Sequence, residues 1–148
     1  MPEIEFIHPG HTFIIAEGGV NHNGYVGRAH SLIDAAADAG VDAIKFQTWR
    51  AEGLATAEAP KAAYQRETTG AEESKFDMAK GLELAPSVFG ELMEYCQERN
   101  ILFLSSPFDE DSVDLLDGLN VAAFKVPSGE ITNLPYLDRM ARKGRPMI

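Results

Sequence analysis

The feature that most constrains the fold is a regular alternation of short apolar runs with helical patterns. The apolar runs lie at residues 12–16, 43–48, 101–106 and 123–126, and the helical patterns at 28–39, from 86 onward, 109–119 and 134–142. Continuous rather than alternating apolarity is typical of parallel strands that are covered on both faces. A strand, a helix and a second strand within about 35 residues form a βαβ unit. The chain is therefore predicted to be an α/β protein with a parallel sheet.

Two parallel architectures, a doubly wound sheet and a (β/α)8 barrel, fit this alternation. The glycines after the first predicted strand, in EGGVN at residues 17–21, lack the GxGxxG spacing of a dinucleotide site. We therefore predict the N-terminal half of a (β/α)8 TIM barrel, forming one partial catalytic domain over residues 1–148, with a fifth strand starting at 145–148. A half-barrel leaves two strand edges open. We accordingly expect either a fragment or a chain that is completed by another chain.

Charge and composition restrict the class of partner. The formal net charge of −10 argues against nucleic acid or an anionic membrane as the main partner. The sequence has no apolar stretch long enough to span a membrane, an acidic N-terminus and one cysteine, which together predict a cytoplasmic protein. That cysteine, Cys96, lies on the apolar face of a predicted helix and is interpreted as a core residue rather than a reactive thiol.

Polar side chains stand at the end of every predicted strand. They are Glu17, Lys45, Gln47, Ser105, Ser106, Lys125, Ser128 and Glu130. In a barrel these ends meet at the catalytic face. Two lysines, hydroxyls and an amide facing one cavity suit a phosphate or a carboxylate. The two glutamates suit proton transfer or a polyhydroxy substrate.

Each of these residues also has an interpretation without catalysis. Lys125 is equally explained as a strand-edge lysine that extends to water. Glu17 can simply pair with one of the lysines, and Ser105 and Ser106 can be turn residues before a proline. His22 is as well explained by ordering of its loop as by catalysis, and no metal-ligand spacing surrounds it.

Four motifs resemble the bacterial sialic acid synthases, including enzymes that make neuraminate, legionaminate, pseudaminate or spore-coat sugars. They are IAEGGVNHNG at 15–24, KFQT at 45–48, SPF at 106–108 and KVPSGEITN at 125–133. The resemblance implies a TIM barrel that condenses phosphoenolpyruvate (PEP) with an N-acylated hexose such as N-acetylmannosamine. The product is a nine-carbon 2-keto sugar acid, and phosphate is released.

The resemblance also implies roles for individual residues. Those matching the PEP-binding groups are Lys45, Gln47, Ser106, Lys125 and Ser128. Ser106 stands where some members have threonine, which keeps the hydroxyl. Glu17 and Glu130 match the carboxylates beside the reacting carbons and the sugar. Sugar contacts are expected from Asn23, Tyr64 and Gln65.

The family pattern extends beyond this chain. Family members are longer, with a full barrel and a C-terminal antifreeze-like domain. The resemblance implies a divalent metal, Mn²⁺ or Mg²⁺, held by histidines outside this chain. It also implies a homodimer in which an arginine reaches the partner's active site. We therefore expect that this chain alone does not turn over.

Two other functions compete with this one. A Schiff-base aldolase of the same fold would use Lys45 or Lys125, but it needs a lysine with a depressed pKa. A fragment without activity is the third possibility. The acceptor sugar is left open, because residues 64–70 suit legionaminate as well as neuraminate synthases.

Overall fold

The structure, a computed structural model, describes residues 10–54, 56 and 74–148. Its elements follow the chain as β1 (Ile15–Gly19), α1 (Val26–Asp38), β2 (Ala43–Thr48), α2 (Ala51–Leu54), α3 (Lys75–Leu82), α4 (Pro86–Glu98), β3 (Leu102–Pro107), α5 (Glu110–Gly118), a 3₁₀ turn (Ser128–Glu130) and α6 (Leu134–Arg142). This order confirms the predicted α/β class. None of the helices within the described ranges is long and apolar enough to cross a membrane.

The strands form one parallel sheet in the order β1-β2-β3. The parallel pairing extends beyond β3, because Phe124 forms one parallel bridge to Ser105 and another to Met147. The predicted fourth and fifth strands are therefore present as single bridges rather than as regular strands, which corrects the sequence prediction. Pro127 has no N–H for the ladder and the 3₁₀ turn follows at once, so the fourth segment leaves the sheet early.

The first strand also differs from the prediction, because it lies at Ile15–Gly19 rather than at residues 12–16. Gly18 and Gly19, which follow the predicted strand, are the last residues of the observed one. A Cβ atom added to Gly18 would lie 2.9 Å from a ring carbon of Phe46, so only glycine packs there without displacing the ring. Gly19 has φ +51 and pairs with Phe46 after a register shift. This bulge turns the end of β1 toward β2.

The two faces of the sheet are covered differently. The outward face packs against α1, α4, α5 and α6 in the main core, which includes Ile44, Phe46 and Phe103. The inward face holds a smaller cluster drawn from the strands and their flanking residues: Ala43, Leu104, Ala123, Phe13, Ile15 and Leu102. A parallel sheet with helices along one face and strand side chains on the other is the N-terminal half of a (β/α)8 barrel, as predicted.

Local signals account for the helix ends nearest the site. Asp109 caps α5 by accepting a hydrogen bond from the Ser112 amide at 2.7 Å, and its other oxygen accepts from the Arg50 amide at 2.6 Å. One carboxylate therefore joins the loops after β2 and β3. Asn133 caps α6 by accepting a hydrogen bond from the Tyr136 amide at 3.4 Å, and Asn is a residue type preferred at helix N-caps.

Cys96 lies in the outward core, as predicted. Its side chain is fully buried on α4. Burial raises the pKa of the thiol to about 12. The thiol is therefore a packing group rather than a nucleophile at neutral pH.

Candidate active site

The inward face changes from apolar to polar along the strands. In the register of the sheet, Glu17 lies opposite Lys45, and Gln47 lies opposite Ser106. These four residues are beyond the apolar cluster, toward the carboxyl ends of the strands. In a parallel sheet, paired residues point to the same face, so the sheet brings these four predicted site residues together.

Lys45 and Glu17 form an ion pair between Nζ and a carboxylate oxygen. The Lys45 side chain is 13% exposed, whereas that of Glu17 is 53% exposed. The ion pair between Glu17 and a lysine, one of the interpretations without catalysis, is therefore present. It is compatible with an anion site, because the pair holds a positive group at the strand ends with a carboxylate beside it.

Gly19 permits a close approach between the backbone of β1 and this pair. A Cβ atom added to Gly19 would lie 2.9 Å from Glu17 Oε1 and 3.7 Å from Gln47 Nε2. The Glu17 carboxylate and the Gln47 amide therefore both lie next to the space that a side chain at position 19 would fill. Any substitution of Gly19 would occupy that space, besides straining its left-handed backbone.

Lys125 follows the bridge at Phe124, and alternation along the segment places it on the inward face with Ala123. It is half-buried, and its Nζ donates a hydrogen bond to the Val126 carbonyl oxygen at 2.6 Å. Ser128 is exposed on the 3₁₀ turn. Glu130 ends the same turn and accepts a hydrogen bond from Asn133 Nδ2 at 2.7 Å.

The two adjacent serines of β3 have different environments. Ser105 and Thr48 are fully buried, and their hydroxyl oxygens are 2.7 Å apart. Ser106 pairs with Gln47 and faces inward. Both serines belong to the strand, so the interpretation as turn residues is wrong. Ser105 is committed to a bond within the sheet, and Ser106 is the hydroxyl at the candidate site.

His22 orders the loop after β1. It is 1% exposed, its Nδ1 accepts a hydrogen bond from the Gly24 amide at 3.0 Å, and its ring is 6.2 Å from that of Phe46. Burial lowers the pKa of His22, so the ring is neutral at pH 7. Phe46 belongs to the outward core, so these contacts favour the loop-ordering interpretation.

Of the three predicted sugar contacts, only Asn23 is among the described residues. Asn23 is exposed in the loop after β1, with a left-handed backbone at φ +50. Tyr64 and Gln65 lie outside the described residues. Their assignment to the sugar stays a prediction.

A cavity of about 660 Å³ opens beside Glu130, between the loops that follow β2 and β3 and the start of α6. It is lined by Arg50, Glu52, Gly53, Phe108, Asp109, Glu110, Asp111, Glu130, Asn133, Pro135 and Tyr136. Apart from Glu130, the sequence analysis assigned no site role to these residues. The available signal was their position: each lies within ten residues after the end of a predicted strand.

The described ranges contain no group of three or more His, Cys, Asp or Glu residues that suits a metal ion. The metal expected from the resemblance was assigned to ligands outside this chain, and that assignment stays a prediction.

Comparison with known proteins identifies the family. The model of the NeuB family matches residues 32–148. The chain is 49% identical over 137 residues to an N,N'-diacetyllegionaminic acid synthase of Campylobacter jejuni, covering 93% of this chain and 41% of that protein. It is 38% identical over 141 residues to the N-acetylneuraminate-9-phosphate synthase of Homo sapiens, covering 95% of this chain and 38% of that protein.

A solved structure supports the same relationship. The N-acetylneuraminic acid synthetase from Leptospira borgpetersenii superposes with a TM-score of 0.75 at 32% identity, over 95% of this chain and 47% of that one. The chain thus spans about two fifths of the length of the curated relatives it matches. Since the family model covers most of the chain and the half-barrel fold agrees with it, the chain belongs to the NeuB family.

Proposed function

We propose that this chain supplies the PEP-binding half of the active site of a sialic acid synthase-type enzyme. The enzyme condenses PEP with an N-acylated hexose to a nine-carbon 2-keto sugar acid and releases phosphate. The observation that carries the proposal is the inward polar row of Glu17, Lys45, Gln47 and Ser106 at the strand ends. Its setting in a NeuB-family chain supports the assignment of this chemistry to the row.

The row suits PEP because PEP carries a phosphate and a carboxylate. Lys45 and Lys125 supply positive charge, and Gln47 and Ser106 supply neutral donors. Hydrogen bonds from charged donors to phosphate oxygens are about twice as strong as neutral ones. Ser128, exposed on its turn, is the remaining donor assigned to PEP. Preorganised donors of this kind stabilise charge that develops during the reaction.

In the proposed reaction, carbon 3 of PEP attacks the aldehyde carbon of the open-chain sugar. A carbon–carbon bond forms, and the aldehyde oxygen takes up a proton. Water then adds to the cationic carbon 2, and Glu17 accepts the proton that this water loses. The tetrahedral intermediate expels phosphate and leaves a ketone. Glu130 holds a sugar hydroxyl beside the reacting carbons.

Other features of the enzyme belong to the same proposal. Mn²⁺ or Mg²⁺ is assigned to residues outside this chain, and every step above uses only this chain's groups and the substrates. A homodimer is proposed from the resemblance, and a cytoplasmic location is proposed from the composition. N-acetylmannosamine is the acceptor with which the proposal is tested first.

The test uses a complete synthase that carries this chain. Phosphate release is measured with PEP and N-acetylmannosamine in the presence of Mn²⁺, and PEP affinity is measured by calorimetry. Lys125→Ala should abolish measurable PEP binding. The matched control is Lys143→Ala, which removes a positive charge from the outer helical layer, where Lys143 pairs with Asp114. Unchanged PEP affinity in Lys125→Ala would contradict the assignment.

Two further measurements separate the competing functions. A Schiff-base aldolase needs a neutral amine, whereas Lys45 is in an ion pair with Glu17. Borohydride treatment with substrate should therefore leave no covalent adduct, and an adduct on Lys125 would overturn the PEP proposal. The chain by itself should release no phosphate from the two substrates. Turnover by the chain alone would contradict its role as half of a site.

A further inference from the structure

The ion pair between Glu17 and Lys45 occupies a positive group that the proposed PEP site needs. Lys45 Nζ contacts a carboxylate oxygen of Glu17, and this is the only ion pair that Lys45 forms among the described residues. The Lys45 side chain is 13% exposed, so little water reaches its ammonium group. In the free protein, therefore, the charge of Lys45 is neutralised by a carboxylate, which is also the group at one end of PEP.

The second lysine assigned to PEP is held differently. Lys125 Nζ donates a hydrogen bond to the Val126 carbonyl oxygen at 2.6 Å. That acceptor carries no net charge, so Lys125 keeps a positive charge that attracts an anion. Lys45 offers an anion no such charge until the carboxylate of Glu17 moves away.

Glu17 is the partner that is free to leave the ion pair. Its side chain is 53% exposed, so water can solvate the carboxylate after it leaves Lys45. Glu17 Oε1 lies beside the space that a side chain at Gly19 would fill, which gives the carboxylate room to turn. The ammonium group of Lys45 has no such freedom, because a buried charge without a partner is costly. An anion arriving at the strand ends is therefore expected to replace Glu17 rather than to move Lys45.

We propose that Glu17 is an intramolecular competitor of PEP. Its carboxylate holds Lys45 in the free enzyme, and the PEP anion displaces that carboxylate from the ammonium group on binding. This inference rests on the proposed function, which assigns Lys45 to PEP, and adds an autoinhibitory contact within the same site.

The contact has two consequences for the enzyme. The apparent affinity for PEP is lower than that of the same site with an unpaired lysine, because only a fraction of the free enzyme has Lys45 open. The carboxylate of Glu17 also loses its counter-charge only when PEP is bound. It therefore becomes an unpaired proton acceptor at the stage when the reaction uses one.

The experiment removes the charge with Glu17→Gln in a complete synthase that carries this chain. The dissociation constant of PEP, measured by calorimetry, should fall about two- to fivefold, the effect of losing an ion pair with a half-exposed partner. The kcat should also fall, because an amide does not accept the proton. Loss of a merely structural residue would weaken PEP binding, so a tighter complex of a slower enzyme is the distinguishing result. Glu17→Ala lacks the same charge and should change both quantities in the same directions.

The matched control is Glu52→Gln. Glu52 is 59% exposed and pairs with Lys80 at 3.1 Å, so this substitution removes the same charge from a similar pair whose lysine is not assigned to PEP. Its PEP affinity should equal that of the wild type. Unchanged or weaker PEP binding in both Glu17 variants, or an equal gain in Glu52→Gln, would overturn the competition and leave the proposed function standing. If the wild-type enzyme binds no PEP, the proposed function itself fails.

Discussion

Ser105 and Ser106 are neighbours in β3, and the structure places them in different environments. The Ser105 hydroxyl is fully buried and lies 2.7 Å from the hydroxyl of Thr48, which is 1% exposed. Ser106 faces inward, paired with Gln47. Replacing each serine by alanine is therefore expected to affect different properties of the protein.

The expected magnitudes follow from these environments. Ser105→Ala leaves the Thr48 hydroxyl buried without its partner, which should cost about 1–3 kcal/mol of unfolding free energy. Thr48→Val should cost a similar amount for the same reason. The double variant removes both hydroxyls, so its loss should be smaller than the sum of the single losses. Ser106→Ala should weaken PEP binding about tenfold, the loss of one hydrogen bond to a charged group.

Two assays separate the roles. Urea denaturation of the complete synthase measures stability, and calorimetric titration with PEP measures affinity. Ser105→Ala should lower the stability and leave the PEP affinity within about twofold. Ser106→Ala should weaken PEP binding and leave the stability nearly unchanged. The reasoning would be refuted if Ser105→Ala weakened PEP binding as much as Ser106→Ala. Strictly additive losses in the Thr48–Ser105 cycle would refute the buried pair.

Three further predictions concern stability and reactivity. Gly24→Ala should lower the free energy of unfolding, measured by urea denaturation, by more than about 2 kcal/mol, because the φ of Gly24 is +77 and an added Cβ would lie 2.4 Å from the Gly81 carbonyl oxygen. Gly27→Ala is the control: it has open space in α1 and should stabilise the protein by about 0.5–1 kcal/mol. Equal effects of the two substitutions would contradict this reasoning. Hydrogen bonds from the Ile14 amide and His11 lower the pKa of Asp42 from 3.8, so its stabilisation should be present above that pH and be lost below it. Asp42→Asn should thus be less stable than the wild type at pH 7, and the difference in unfolding free energy should shrink as the pH falls below 3.8; a difference that grows in acid would count against the carboxylate. Cys96 should resist iodoacetamide at pH 8 until the protein unfolds, and rapid labelling of the native protein would disprove its burial.

The elements with strong local signals were the ones that could be predicted. The α6 helix was predicted at its observed bounds, since Asn133 caps its start and Gly144 has the left-handed backbone (φ +71) that ends it. Lys45 and Gln47 lie on one face because strand side chains repeat every two residues. Both signals depend on a few adjacent residues and need no knowledge of the rest of the chain.

The errors in the fold occurred where a contact between distant residues decides the conformation. Glycines are common in turns, yet Gly18 and Gly19 end β1: the Phe46 ring packs against Gly18, and Gly19 pairs with Phe46 in the sheet. The fourth segment has strand composition, yet it forms one bridge on each side before Pro127. Neither interaction can be predicted from the local strand propensity of the residues involved.

The sequence by itself determined the α/β class, the half-barrel, the family and the polar strand ends, because each depends on periodicity or on a contiguous motif. Only the tertiary structure decided which serine faces the site, that Glu17 pairs with Lys45, and that the cavity beside Glu130 exists. The cavity is built by three loops that are far apart in sequence. These loops lie side by side because of the sheet register and because the Asp109 carboxylate bonds to two of them. A local sequence pattern cannot predict such contacts between distant residues.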